Sequence, residues 1–169
     1  MPGDDFGYVG HELVLLEDGT YRWVDIKRFW LPVRLADPAL ALELLLGHVR
    51  YRDPYTGPPS RDVDDAEDTH GPYRLDQISV RSYEVIDETT ALMTIQDFVG
   101  DEAELSEHVR ADLGFRVYRQ IRRMAVRYRL VDLGEDAFHD VGWILGGFTE
   151  LVLMDLSRSE LLLLVAAAD

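Results

Sequence analysis

Residues 148–165 read Phe-Thr-Glu-Leu-Val-Leu-Met-Asp-Leu-Ser-Arg-Ser-Glu-Leu-Leu-Leu-Leu-Val, and this stretch decides the fold class. Phe148 to Leu156 is a β-favouring run, Ser157-Arg158-Ser159 is a polar turn, and Leu161 to Val165 is apolar at every position. Two such runs joined by a short polar link form a hairpin. A strand wetted on one face alternates, whereas one that is apolar throughout is covered on both faces. The pattern predicts that Leu161–Val165 is a central strand.

Two more hairpins are expected upstream. Val9 and Leu13 to Leu16 lead into Glu17-Asp18-Gly19-Thr20, and Tyr21, Trp23, Val24 and Ile26 follow. Asp-Gly between apolar runs is a strong hairpin signal. Phe29 to Leu35 reads as a third strand, confined to an edge or bulge by Pro32. Ile78, Val80 and Tyr83–Ile86 read as one strand and Ala91–Phe98 as its partner, joined at Asp87-Glu88-Thr89. Asp37-Pro38 has the form of a helix start, followed by Leu40, Leu44 and Leu45 at helical spacing, so a helix is expected over 38–49. A second helical region, capped by Asp101 or Ser106 and broken near Gly114, is expected over about 101–130.

Hairpins separated by helices, without regular βαβ alternation, predict an α+β fold. The expectation is a mainly antiparallel sheet of six or seven strands with the two helical regions packed on one face. Its core is expected to hold Leu15, Trp23, Leu44, Val80, Ile95, Ile121, Leu151 and Leu163. The 169 residues suit a single domain spanning 1–169. The stretch at about 51–75 carries four prolines and the acidic run Asp62, Asp64, Asp65, Glu67 and Asp68, and is expected to be a mobile loop.

Composition removes several function classes. Without cysteine there is no disulfide framework and no thiolate chemistry. The first residues have neither the basic nor the apolar region of a signal peptide, and the longest apolar run, Leu161–Ala168, is too short to span a bilayer. A cytoplasmic location and no membrane partner are expected. The five histidines form no His-x-x-x-His or His-x-His pair, the Asp62 run lacks a calcium loop's glycine and distal glutamate, and no phosphate-binding or dinucleotide fingerprint is present. No metal and no cofactor are expected.

Charge is the other strong signal. Between Arg110 and Arg129 lie seven arginines and one acid, Asp112, a local net charge of +6 in a chain of −15, leaving −21 elsewhere. On a continuous helix Arg116, Arg119, Arg123 and Arg127 share one face, opposite Leu113, Val117, Ile121, Met124 and Tyr128. Those arginines either form salt bridges to surrounding acids or bind an anion through their fork geometry. The remaining −21 disfavours nucleic acid.

The leading expectation is an acidic cytoplasmic protein-binding module, such as an inhibitor, an antitoxin-like neutraliser or a regulatory subunit, engaging a basic partner. The alternative is a small enzyme or ligand-binding domain that holds an anionic small molecule on Arg116, Arg119, Arg123 and Arg127, with His108, Tyr118 or His139 moving protons. The charge asymmetry also suggests a homodimer in which each arginine helix meets an acidic patch of the second copy, near Asp62–Asp68 or Glu102–Glu107.

Overall fold

A computed structural model describes residues 3–16, 21–56 and 68–169. Six strands form one sheet: β1 (Gly7–Leu15), β2 (Arg22–Trp30), β5 (Tyr83–Val85), β6 (Val126–Leu130), β7 (Gly147–Asp155) and β8 (Glu160–Ala168). Their spatial order is β1-β2-β8-β7-β6-β5, with every neighbouring pair antiparallel. Two short strands, β3 (Thr69–His70) and β4 (Tyr73–Arg74), pair separately. The chain is α+β, and β8 lies inside the sheet between β2 and β7.

Why β8 is apolar at consecutive positions follows from what covers it. Leu162, Leu164 and Ala166 belong to one core, and Leu161, Leu163, Val165 and Ala167 belong to a second core on the other face. The turn into β8 is set by Asp155, whose carboxylate accepts from Ser157 Oγ (2.6 Å) and the Arg158 amide (3.3 Å), and by Ser159 in the left-handed region (φ 56°).

The first core is roofed by α2 (Glu88–Val99), α3 (Glu107–Asp112) and α4 (Arg119–Arg123), the last two joined by a π-helical stretch over Leu113–Tyr118. The second is covered by α1 (Pro38–Leu46), the 49–56 segment and residues from β4 and the 133–148 region. The helical regions therefore divide between the two faces instead of sharing one, as a sheet buried on both sides requires.

Helix α1 starts as its sequence demands: the Asp37 side chain accepts from the Ala39 amide at 2.9 Å, and Pro38 occupies the first turn. It ends at Leu46, and a separate 3₁₀ turn follows at Val49–Tyr51. Further expectations are corrected, among them the strand from Ile78 to Ile86, of which only Tyr83–Val85 is strand and Val80–Ser82 a 3₁₀ turn. Ala91–Phe98 is not the second strand of a hairpin; it lies within α2. Asp87 caps that helix by accepting from the Thr90 amide (2.7 Å), Ala91, Ile95 and Val99 form its buried stripe, and Gly100 (φ 78°) closes it. Phe29–Leu35 is not a separate strand, because β2 runs unbroken to Trp30 and the chain then turns, with the Leu35 amide bonded to the Pro32 carbonyl. The helix expected to reach Leu130 ends at Arg123. Gly114 does not break it but lies within the π-helical stretch, and Val126–Leu130 pairs with β5 and β7 as β6.

Of the expected core, Trp23, Ile95, Ile121, Leu151 and Leu163 are buried, Val80 is partly buried, and Leu15 and Leu44 are exposed. Residues 57–67, which carry Asp62, Asp64, Asp65 and Glu67, and the Asp18-Gly19 turn lie outside the described residues. Beside the former, Tyr51, Tyr55 and His70 are deeply buried. Among the described residues no helix is long and apolar enough to cross a membrane.

Candidate functional site

The four arginines expected on one helix face do not share one. Arg116 lies in the π-helical stretch and Arg119 and Arg123 in α4, whereas Arg127 is on β6. Arg116 faces Asp112 (3.6 Å) and Glu12 (3.9 Å). Arg123 donates to Glu160 and Gln120, both at 2.7 Å. Arg127 donates from Nε to the Ile121 carbonyl (2.7 Å) and reaches Glu88 at 3.8 Å. Arg119 is exposed and sits 5.0 Å from the centre of the Phe115 ring.

The proton-transfer candidates are scattered. His108 is 86% exposed and lies 3.4 Å from Asp112 on its own helix. The Tyr118 hydroxyl donates to Glu102, and burial together with that carboxylate pushes the phenol well above its ordinary range, so it stays protonated at neutral pH. His139 donates from Nε2 to the Gly71 carbonyl (2.9 Å) and accepts the Val141 amide at Nδ1 (3.3 Å), so both ring nitrogens serve the backbone.

Sequence reasoning missed a row of charged groups inside the second core. Asp25 on β2, Val165 on β8 and Glu150 on β7 are paired in register and point to the same face. Asp25, Glu150 and His70 are fully buried, and Lys27 nearly so. His70 stacks on Tyr51 (ring centres 3.7 Å apart) and donates from Nδ1 to the Tyr51 carbonyl at 2.5 Å. Its Nε2 meets Glu150, whose second oxygen accepts from the Tyr83 hydroxyl at 2.5 Å, and the Tyr51 and Tyr83 hydroxyls bond to each other at 2.6 Å. A carbonyl can only accept, so Nδ1 carries a proton. The Nε2–Glu150 contact then shares one more proton, and the pair is neutral overall wherever that proton sits.

Lys27 completes a second cluster. It donates to Asp53 and to the Tyr55 hydroxyl, each at 2.9 Å, and lies over the Tyr55 ring. Tyr55 is fixed in the left-handed region (φ 54°), uncommon for a side chain of this size. Asp25 binds His11 Nε2 at 2.5 Å through one oxygen, and its other oxygen is buried without a hydrogen bond among the described residues. The clue to these residues is the apolar run of β8: a strand covered on both faces implies that the alternating polar positions of its neighbours are covered as well.

Among the described residues, two cavities beside this core stand out. One, of about 740 Å³, is lined by Asp68, Thr69, Arg74, Asp76, His139 and Asp140, with Leu75 and Val141. Next to it the chain makes a turn in which Trp143 is 72% exposed and Val141 and Ile144 are also exposed. Gly142 makes that turn possible, since a Cβ there would lie 2.3 Å from the Pro72 carbonyl oxygen. The second cavity, of about 620 Å³, lies between the ends of β6 and β7. No protein-family model, curated protein or solved structure matches the chain.

Proposed function

We propose that the chain is an acidic protein-binding module, an inhibitor, antitoxin-like neutraliser or regulatory subunit, that engages a basic partner. The observation that carries this reading is the exposed Val141–Ile144 turn beside a cavity lined by Asp68, Asp76 and Asp140 against a single arginine, Arg74. Arg74 is itself held by the Phe138 (2.7 Å) and Asp136 (3.1 Å) carbonyls and lies 3.7 Å from Asp76, and Arg52 lies 3.4 Å from Asp68, so among the described residues Asp140 is the lining acid with no ion pair. A large exposed aromatic with an acidic rim suits an interface whose anchor is apolar and whose selection of partner is electrostatic. The internal partners of Arg116, Arg123 and Arg127 add support, because they leave the chain's excess of acids to dominate the surface.

Retention of proteins from the native lysate on the immobilised chain, at low and moderate salt, tests it. The expected result is a basic protein held at low salt, released as salt rises, and lost from Trp143→Ala. Retention of no basic protein at low salt, or equal retention by Trp143→Ala, overturns the reading.

A further inference from the structure

The last residue pair between β6 and β7 is Arg129–Leu151, but β7 continues back to Gly147. The cavity of about 620 Å³ occupies this notch, and Tyr73, Phe138 and Phe148 supply aromatic walls. The Tyr73 ring stands at 88° to Phe148 (6.1 Å) and at 56° to Phe138 (5.8 Å), so the three rings form a corner and not a stack. Phe148 is seated against Gly71, where a Cβ would come within 2.4 Å of its ring and where the backbone is left-handed (φ +55°). Glycine at 71 thus keeps one wall of the cavity in position.

The charges lining the notch do not cancel. Arg129 donates to Glu84 from Nε (2.8 Å) and Nη2 (2.5 Å), which neutralises both. Glu150, also part of the wall, has its charge matched within its contact with His70. Asp132 remains: it is exposed, its Oδ1 accepts from Tyr73 (3.3 Å) and the Gly134 amide (2.9 Å), and no salt bridge joins it to a cation among the described residues. An aromatic corner next to one uncompensated carboxylate attracts a cation and repels an anion.

We propose that this notch binds an organic cation, a guanidinium or primary ammonium head, with its charge against the aromatic corner of Tyr73, Phe138 and Phe148 and an N–H donated to Asp132. The head belongs either to an arginine or lysine of the basic partner, in which case the site rests on the function proposed above, or to a free amine, in which case it stands without it. The volume accommodates either.

Calorimetric titration of the full chain with agmatine, and separately with a blocked peptide carrying one arginine, tests the site. Binding of at least one is expected, weakened roughly tenfold in Asp132→Asn and in Phe138→Ala. Asparagine keeps acceptors for Tyr73 and Gly134, so that variant retains the fold even if Phe138→Ala does not. Tighter binding of the peptide identifies a protein side chain as the occupant, and tighter binding of agmatine a free amine. Absence of binding by both, or affinities unchanged in Asp132→Asn, overturns the proposal. Agmatine binding by a chain that retains no basic protein would sink the function proposed above while leaving this site in place.

Discussion

Glu150 shows how much a single buried carboxylate organises. Its two oxygens tie His70 to Tyr83, and through them Tyr51, so that the 51–56 segment and β3 are fastened to the middle of β7. Removing the carboxylate strands an imidazole and a hydroxyl in an apolar interior. Glu150→Ala is expected to cost about 3–5 kcal/mol, whereas Glu150→Gln, which can still accept from Tyr83 and donate to His70, is expected to cost far less. Urea unfolding of the two variants checks the difference, and equal losses would argue against the network. The tyrosines carry a pH signature. Burial pushes Tyr51, Tyr55 and Tyr83 well above the ordinary value of about 10. With folded values above unfolded ones, the native state holds more protons above pH of about 10, so stability is unaffected below that point and falls as pH rises beyond it. Phenolate absorbance from these three should appear only together with the loss of structure. Titration of all the tyrosines together in a still-folded chain would contradict this. The sequence marks these side chains only indirectly: Asp25, Lys27 and Glu150 carry no motif of their own, and their burial follows from the doubly covered β8 beside their strands.

At the scale of elements, periodicity over long windows was readable and short windows were not. The β7–β8 hairpin, the start of α1 and the buried face from Leu113 to Met124 all stand in the sequence as they stand in the fold. Helix α2 did not, because Thr89, Thr90, Thr94, Ile95, Phe98 and Val99 favour strands locally. Burial of Ala91, Ile95 and Val99 along one stripe outweighs that preference. Ile95→Ala should therefore destabilise by about 2–5 kcal/mol, the range for emptying a packed core position. Ser106, which accepts the Val109 amide at 3.2 Å at the start of α3, should cost about 1 kcal/mol when changed to alanine. Thermal unfolding measures both, and a larger loss at Ser106 than at Ile95 would overturn the ranking. In β6 the alternation of Val126, Tyr128 and Leu130 with Arg127 and Arg129 is a period of two, a signal hidden by carrying a helical period through Arg123.

Across the whole molecule, net charge was readable and its distribution was not, because pairing between distant residues decides which arginines remain available. Arg116 and Arg123 reach Glu12 and Glu160 across the fold, while Arg119 and Arg122 stay exposed. A charge-paired homodimer would use those two against an acidic patch of the second copy. Light scattering across a salt series is expected to show a dimer at low salt that separates as salt rises, and a monomer at every salt concentration would rule it out.

The position of β8 has a kinetic consequence. The sheet is joined through contacts such as Trp23–Ala167 and Ile26–Leu164, between residues near opposite ends of the sequence. β8 is tied to β7 by the short Leu156–Arg158 turn, so neither core is complete until the β7–β8 hairpin meets β2. Contacts this remote place a chain among slow folders, on the millisecond-to-second scale. Until that meeting, the facing edges of β2 and β8 stay open to pairing with other chains, and dilution should favour recovery of the native protein on refolding.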